Sequence, residues 1–79
     1  MYQYPIDYEQ FSTVQIIEIV TFLNLIEQAN EGKFDRAELL DKYTTYKNII
    51  RSKSMEKQID KAFKKVSGYS VYQTIKNIQ

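Results

Sequence analysis

The segment Ser12–Gly32, STVQIIEIVTFLNLIEQANEG, decides the fold. Its β-branched residues Val14, Ile16, Ile17, Ile19, Val20 and Thr21 suit a strand as well as a helix, so propensity leaves the choice open. Length and period close it. The apolar stretch outruns an ordinary strand, and Glu18, Thr21, Asn24 and Gln28 interrupt it every three or four residues, as the polar side of a helix does. Ser12 and Gln15 have the spacing of a capping box, in which the hydroxyl accepts from the Gln15 N–H and the Gln15 side chain reaches back. Gly32 supplies the stop, so the spacing predicts a helix over 13–31. At about 100° per residue, Ile16, Ile19, Val20, Leu23 and Ile26 form one face, Phe22, Leu25 and Ala29 another, and Ile17 lies apart from both. One buried face does not use them all. The helix is expected either to sit at the centre, covered on two sides, or to present Phe22, Leu25 and Ala29 to a partner or a second copy.

Working outward, Asp35 and Glu38 repeat the capping logic, and Asp35, Glu38 and Asp41 place negative charge where a helix dipole favours it. A second helix over 36–50 carries Leu39, Leu40, Tyr43, Tyr46, Ile49 and Ile50 as its apolar stripe, with the two tyrosine hydroxyls expected at the stripe's edge. Ser52 or Ser54 can cap a third helix over 53–67, in which Met55, Ile59, Ala62, Phe63 and Val66 recur at helical spacing and Gly68 follows. Lys53, Lys57, Lys61, Lys64 and Lys65 fall on its outward side, where Asp60 stands four residues before Lys64 as a favourable pair. Ser70 and Gln73 form a third capping box ahead of Val71, Tyr72, Ile75 and Ile78, predicting a short last helix over 71–78. Before all of these, MYQYPIDYEQF over 1–11 alternates aromatic and polar residues around Pro5, which biases Tyr4 away from helix. It reads as an extended aromatic arm laid on the helices. The fold class is therefore all-α, a small bundle of about four helices with an N-terminal arm, in one domain over 1–79.

Composition narrows the chemistry. The 79 residues are 43% hydrophobic and 27% charged, which is too apolar for disorder and leaves room for one core. The chain has no Cys and no His, removing disulfides, thiolate nucleophiles, most structural zinc sites and the commonest general base. Gly32 and Gly68 are isolated at helix ends, so no phosphate-cradling loop is present, and Asn30 to Asp35 lacks the alternating carboxylates of a calcium loop. No catalytic residue, no cofactor and no metal is expected. The start carries Asp7 and Glu9 and no Lys or Arg before Lys33, unlike a secretory signal, and the polar residues inside 14–29 rule out a membrane span. A cytoplasmic location follows as the expectation.

The net charge of +1 conceals a division. Residues 1–41 hold two basic and eight acidic residues, −6, whereas residues 42–79 hold nine basic and two acidic, +7. Such a split means either two halves that complement each other when folded or a basic face free to bind.

The segments Tyr4-Pro5-Ile6-Asp7, Phe11-Ser12-Thr13, Glu56-Lys57-Gln58 and Ser67-Gly68-Tyr69-Ser70-Val71-Tyr72, in this order over nearly the whole chain, resemble the uncharacterised YktA-like family (uncharacterised protein family 0223) of small proteins from Gram-positive bacteria. The Ser-Gly-Tyr-Ser-x-Tyr segment is the most specific element. The sequence departs at Phe11, where the family pattern has Trp, and at Arg51, where it has Pro before the serine-lysine pair; both bear on packing and on a helix start. The resemblance implies an all-helical cytoplasmic fold and carries over no functional residue, because no activity is assigned to the family.

Two function classes follow from the residues. The first is a small non-enzymatic protein-interaction module, with a homodimer as one form of it, binding an unknown protein partner through Phe22, Leu25 and Ala29 and through Tyr69 and Tyr72. The second is non-specific nucleic-acid binding through Lys53, Lys57, Lys61, Lys64 and Lys65, extended by Lys47 and Arg51. The second class is the weaker, because the turn between the second and third helices lacks the glycine of a helix-turn-helix and only Gln58 is suited to reading bases.

Overall fold

Each helix start is set by an oxygen that accepts from the first free backbone N–H groups, and a computed structural model, describing residues 9–33 and 35–78, shows where these caps fall. Ser12 closes the full capping box of α1 (Thr13–Asn30): its Oγ accepts from Gln15 N at 3.2 Å, and the Ser12 N–H donates to Gln15 Oε1 at 3.0 Å. Asp35 opens α2 (Arg36–Ile49) by accepting from Ala37 and Glu38 at 2.9 and 3.2 Å. Ser52, rather than Ser54, opens α3 (Lys53–Ser67) by accepting from Met55 N at 3.3 Å. Ser70 precedes α4 (Val71–Ile78) and accepts from Gln73 N at 3.2 Å, but the Gln73 side chain turns to Asn77 Oδ1 instead of returning, so the third capping box is only half made.

The ends obey the same accounting. Beyond α1, Gly32 N–H donates to Ala29 O at 3.2 Å and Lys33 N–H to Gln28 O at 2.8 Å, a Schellman pair that needs the positive φ of 86° at Gly32. Gly68 takes φ 84° and ends α3 in the same left-handed conformation.

The fold is all-α, with four helices and no strand among the described residues. Of the aromatic arm, residues 1–8 lie outside the described residues; Phe11, at its end, is half-buried against the core. α1 packs on both α2 and α4, and α3 packs on α4.

The core is assembled around one arc of α1. Ile19, Phe22, Leu23 and Ile26 are each 0% exposed, and their i, i+3, i+4, i+7 spacing makes them one stripe. The assignment of Phe22 to a separate, partner-facing surface is therefore corrected: Phe22 borders the stripe from the side of α2, where its ring stacks on Tyr46 at 4.6 Å and meets Tyr43 at 5.7 Å. Leu25 and Ala29 extend the same arc and are half-buried against the core. Leu39, Tyr46 and Ile50 from α2, Ile59 and Phe63 from α3, and Val71 and Ile75 from α4 complete the cluster. Tyr46, expected at the stripe's edge, is 1% exposed and belongs to the core.

In α4 the apolar residues Val71, Ile75 and Ile78 share a side, but Tyr72 stands one step of about 100° from Val71 and is turned outward. Thr74 occupies the inward position and is 6% exposed. Its burial is compensated by a short network in which Asn30 Nδ2 donates to Thr74 Oγ1 at 2.9 Å and to Ile26 O at 2.8 Å, and Thr74 Oγ1 donates to Ser70 O at 2.7 Å.

Because Phe22 lies inside the core, Phe22→Ala is expected to cost about 3–5 kcal/mol in urea denaturation, whereas Ile17→Ala, on the exposed side of the same helix, changes stability by about 0.5 kcal/mol or less. Equal small effects would restore Phe22 to the surface.

Candidate functional site: a tyrosine and lysine cleft

An open cleft of about 440 Å³ lies where α2, α3 and the start of α4 meet. α2 contributes Tyr43, Tyr46 and Lys47; α3 contributes Lys53, Glu56, Lys57 and Asp60; Ser70, Val71 and Tyr72 close the remaining side. The i, i+3, i+4 spacing in α2 and the i, i+3, i+4, i+7 spacing in α3 put each set on one helical face, so the cleft is the seam between two rows.

Asp60 is the structural pivot of this seam. It borders the buried face of α3, one residue after Ile59 and three before Phe63, and its carboxylate meets the N-terminus of α4. Val71 N–H donates to Oδ1 at 2.7 Å, while Ser70 Oγ and Tyr72 N–H donate to Oδ2 at 3.2 and 3.4 Å. A carboxylate at this position satisfies free N–H groups and complements the helix dipole. The expected Asp60 to Lys64 pair is not formed, because the α4 terminus takes Asp60 first.

Across the seam, Lys47 Nζ donates to both Glu56 oxygens at 2.8 Å, bridging α2 to α3. The same ammonium sits 5.9 Å from the centroid of the Tyr43 ring. Its pKa lies above the ordinary lysine value, first because of the Glu56 hydrogen bond, with burial acting in the opposite direction. The Tyr46 hydroxyl has its pKa pushed well above the ordinary tyrosine value, chiefly by burial and then by the nearby charges of Glu56 and Asp60 and by Tyr43.

The residues predicted from sequence are dispersed. Lys53 and Lys57 line the cleft, whereas Lys61, Lys64 and Lys65 are exposed on α3 away from it. Tyr72, 67% exposed, forms one wall, but Tyr69 is half-buried against the core and is not beside it in the cleft. Phe22, Leu25 and Ala29 take no part. Tyr43, Tyr46, Glu56 and Asp60 were not singled out as site residues. Asp60 carries a sequence signal in retrospect: a carboxylate at the margin of an apolar face, with a Gly-ended turn bringing a new helix N-terminus back towards it.

Among the described residues one ion pair joins the acidic half of the chain to the basic half, Glu18 to Lys42 at 3.6 Å. No described helix is long and apolar enough to cross a membrane.

The arrangement defines a small all-α protein with a tyrosine-lined, lysine-rimmed cleft. The chain belongs to the Uncharacterised protein family (UPF0223), which it matches over residues 1–79. It is 51% identical to a UPF0223 protein of Streptococcus equi subsp. zooepidemicus over 95% of this chain and 80% of the relative. It is 50% identical to one of Bacillus cytotoxicus over 94% of this chain and 82% of the relative. A Streptococcus mutans relative is 47% identical over 94% of this chain and 79% of its own length. No solved structure matches the chain.

Two outcomes test the geometry. Asp60→Ala is expected to lower stability by about 1–2 kcal/mol in urea denaturation and to release α4 first, seen as faster amide exchange in 71–78 than in α1. The raised Tyr46 pKa favours the folded state fully below the unfolded tyrosine pKa, near 10, and that contribution is lost as pH rises through and above this value. Stability should therefore fall from pH about 9 to 11, and Tyr46→Phe should flatten that fall.

Proposed function

We propose that this protein is a non-enzymatic, cytoplasmic protein-interaction module that seats its partner in the cleft between α2, α3 and α4. The observation that carries the reading is Tyr72: a large aromatic residue 67% exposed at the wall of a cleft whose other walls hold Tyr43 and Val71. Exposed aromatics beside a concave surface are the residues that most often dominate binding energy, and a cleft of about 440 Å³ is of the size that accepts one or two side chains. Self-association is the same reading with a second copy as partner. The non-enzymatic part is supported by a sequence without His or Cys and by the engagement of both cleft carboxylates in holding helices together.

Nucleic-acid binding is the second reading. It is favoured by the exposure of Lys53, Lys57, Lys61, Lys64 and Lys65, none of which forms an ion pair among the described residues. Binding of mixed-sequence RNA or DNA oligomers that falls steeply with salt and vanishes when the five lysines become Gln would put it first.

For the leading reading, a photo-crosslinking residue placed at Tyr72 is expected to capture a partner in cells, and one placed at Asn24, exposed on α1, is expected not to. The captured protein, once purified, should bind this chain at least about tenfold more weakly when Tyr72→Ala is introduced, the loss of one hot spot of about 1.4 kcal/mol or more. Equal capture at both positions, or binding untouched by Tyr72→Ala, overturns the proposal.

A further inference from the structure

We infer that the occupant of the cleft is a short acidic segment of a partner protein, an apolar or aromatic side chain flanked by Asp or Glu, whose carboxylates meet Lys53 and Lys57. This rests on the reading of the cleft as a partner's seat and adds the chemistry of what sits there.

The charges around the cleft decide it. Of its two carboxylates, Glu56 is taken by Lys47 through both oxygens at 2.8 Å, and Asp60 is taken by the α4 N-terminus at 2.7 Å. Of its three lysines, Lys47 is spent on Glu56, which leaves Lys53 and Lys57 exposed and without an ion pair among the described residues. The cleft, three lysines against two carboxylates, is therefore net positive by one and presents two lysines outside any ion pair among the described residues beside an apolar floor that includes Val71. Four residues apart on α3, the two lysines have Cβ atoms about 6 Å apart on one face. An extended segment that alternates acid, apolar residue and acid spaces its carboxylates at about 7 Å on the face opposite the apolar side chain, so the two flexible lysine stems at the rim meet the acids from outside while the apolar side chain points into the cleft. Lys53 and Lys57 attract the flanking acids while the apolar side chain enters among the tyrosines.

A nucleic-acid strand fits the same cleft poorly. Such a strand needs a continuing track of cations for successive phosphates. Here the Lys47–Glu56 bridge stands in the cleft, and Lys61, Lys64 and Lys65 do not line it, so the track of cations is short.

The test is a titration of the ¹⁵N-labelled full chain with a capped peptide centred on Asp-Phe-Glu, with its Lys-Phe-Lys counterpart and with a single-stranded RNA hexamer. The expected result is that Asp-Phe-Glu shifts the amide signals of Lys57, Val71 and Tyr72 and leaves Asn24 unmoved. Its affinity should fall severalfold as salt rises from about 0.05 to 0.5 M. The double variant Lys53→Glu, Lys57→Glu should lose the acidic peptide and take up the Lys-Phe-Lys peptide. Cleft shifts that persist unchanged in the double variant overturn the acidic occupant and leave the cleft as a partner's seat. Shifts with the RNA alone overturn both. Cleft signals that move with protein concentration before any peptide is added place a second copy there and overturn the acidic partner segment. No shift with any probe also overturns it, while crosslinking at Tyr72 decides the cleft reading separately.

Discussion

The Asp60 carboxylate on the N-terminus of α4 is the interaction on which the rest of the molecule depends. α4 has eight residues, well below the roughly 12–15 at which an isolated helix becomes even marginal in water. It is held from outside at three levels. Asp60 takes its first N–H group at 2.7 Å, Asn30 of α1 donates to Thr74 in its middle at 2.9 Å, and Arg36 Nε of α2 donates to Ile78 O at its end at 2.6 Å. Each tie comes from a different helix, so the shortest element is the one that senses the position of all the others. With α4 held, Val71 and Ile75 close the core over α1, and Tyr72 is left facing outward at the cleft. Without it, the seam between α2 and α3 would have no third wall.

That dependence explains what the sequence discloses and what it withholds. Helix starts are local, decided within three or four residues, and Ser12 and Asp35 are legible from spacing alone, whereas Ser52 and Ser54 both suit the third start and the structure selects Ser52. α3 is similarly legible, since Ile59 and Phe63 on one side and five lysines on the other leave no alternative orientation. α1 is harder, because its apolar residues span a broad arc and nothing local says where the arc is centred. Dividing it into two faces puts Phe22 outside; the stacking partner that draws Phe22 inward, Tyr46, lies 24 positions along the chain. Tyr72 is turned outward and Thr74 inward in α4 for a related reason. Hydrophobicity favours burying the tyrosine, whereas helical geometry turns Thr74 inward, and the Asn30 amide makes that burial affordable.

The candidate site is less legible than the fold because no single segment contains it. Tyr43 and Tyr46 read as the margin of a core stripe, and Glu56 and Asp60 as the minority acids of a lysine-rich helix. Their roles appear only when Lys47 of α2 reaches Glu56 of α3 and the chain returns at Ser70. Spacing along one helix predicts an Asp60 to Lys64 pair, but a surface pair of that kind contributes a few tenths of a kcal/mol, less than the capping of a buried helix terminus. The stronger, non-local demand takes the carboxylate.

The same competition sets the electrostatics of the surface. A chain of net charge +1 need not have a neutral face, and here the acids and bases are separated along the sequence. Folding brings Glu18 to Lys42, and the two acids of the basic half are drawn into structural duties at Lys47 and at α4. Each carboxylate engaged in holding helices together is one fewer available to neutralise a neighbouring lysine. The cleft as a whole carries three lysines against these two carboxylates, a net charge of +1, with Lys53 and Lys57 outside any ion pair among the described residues. At physiological ionic strength a field of this kind reaches about 8 Å from the surface, so it acts on what comes into contact with the cleft rather than on distant molecules. The stability of the fold and the charge of its cleft are two consequences of where Glu56 and Asp60 point.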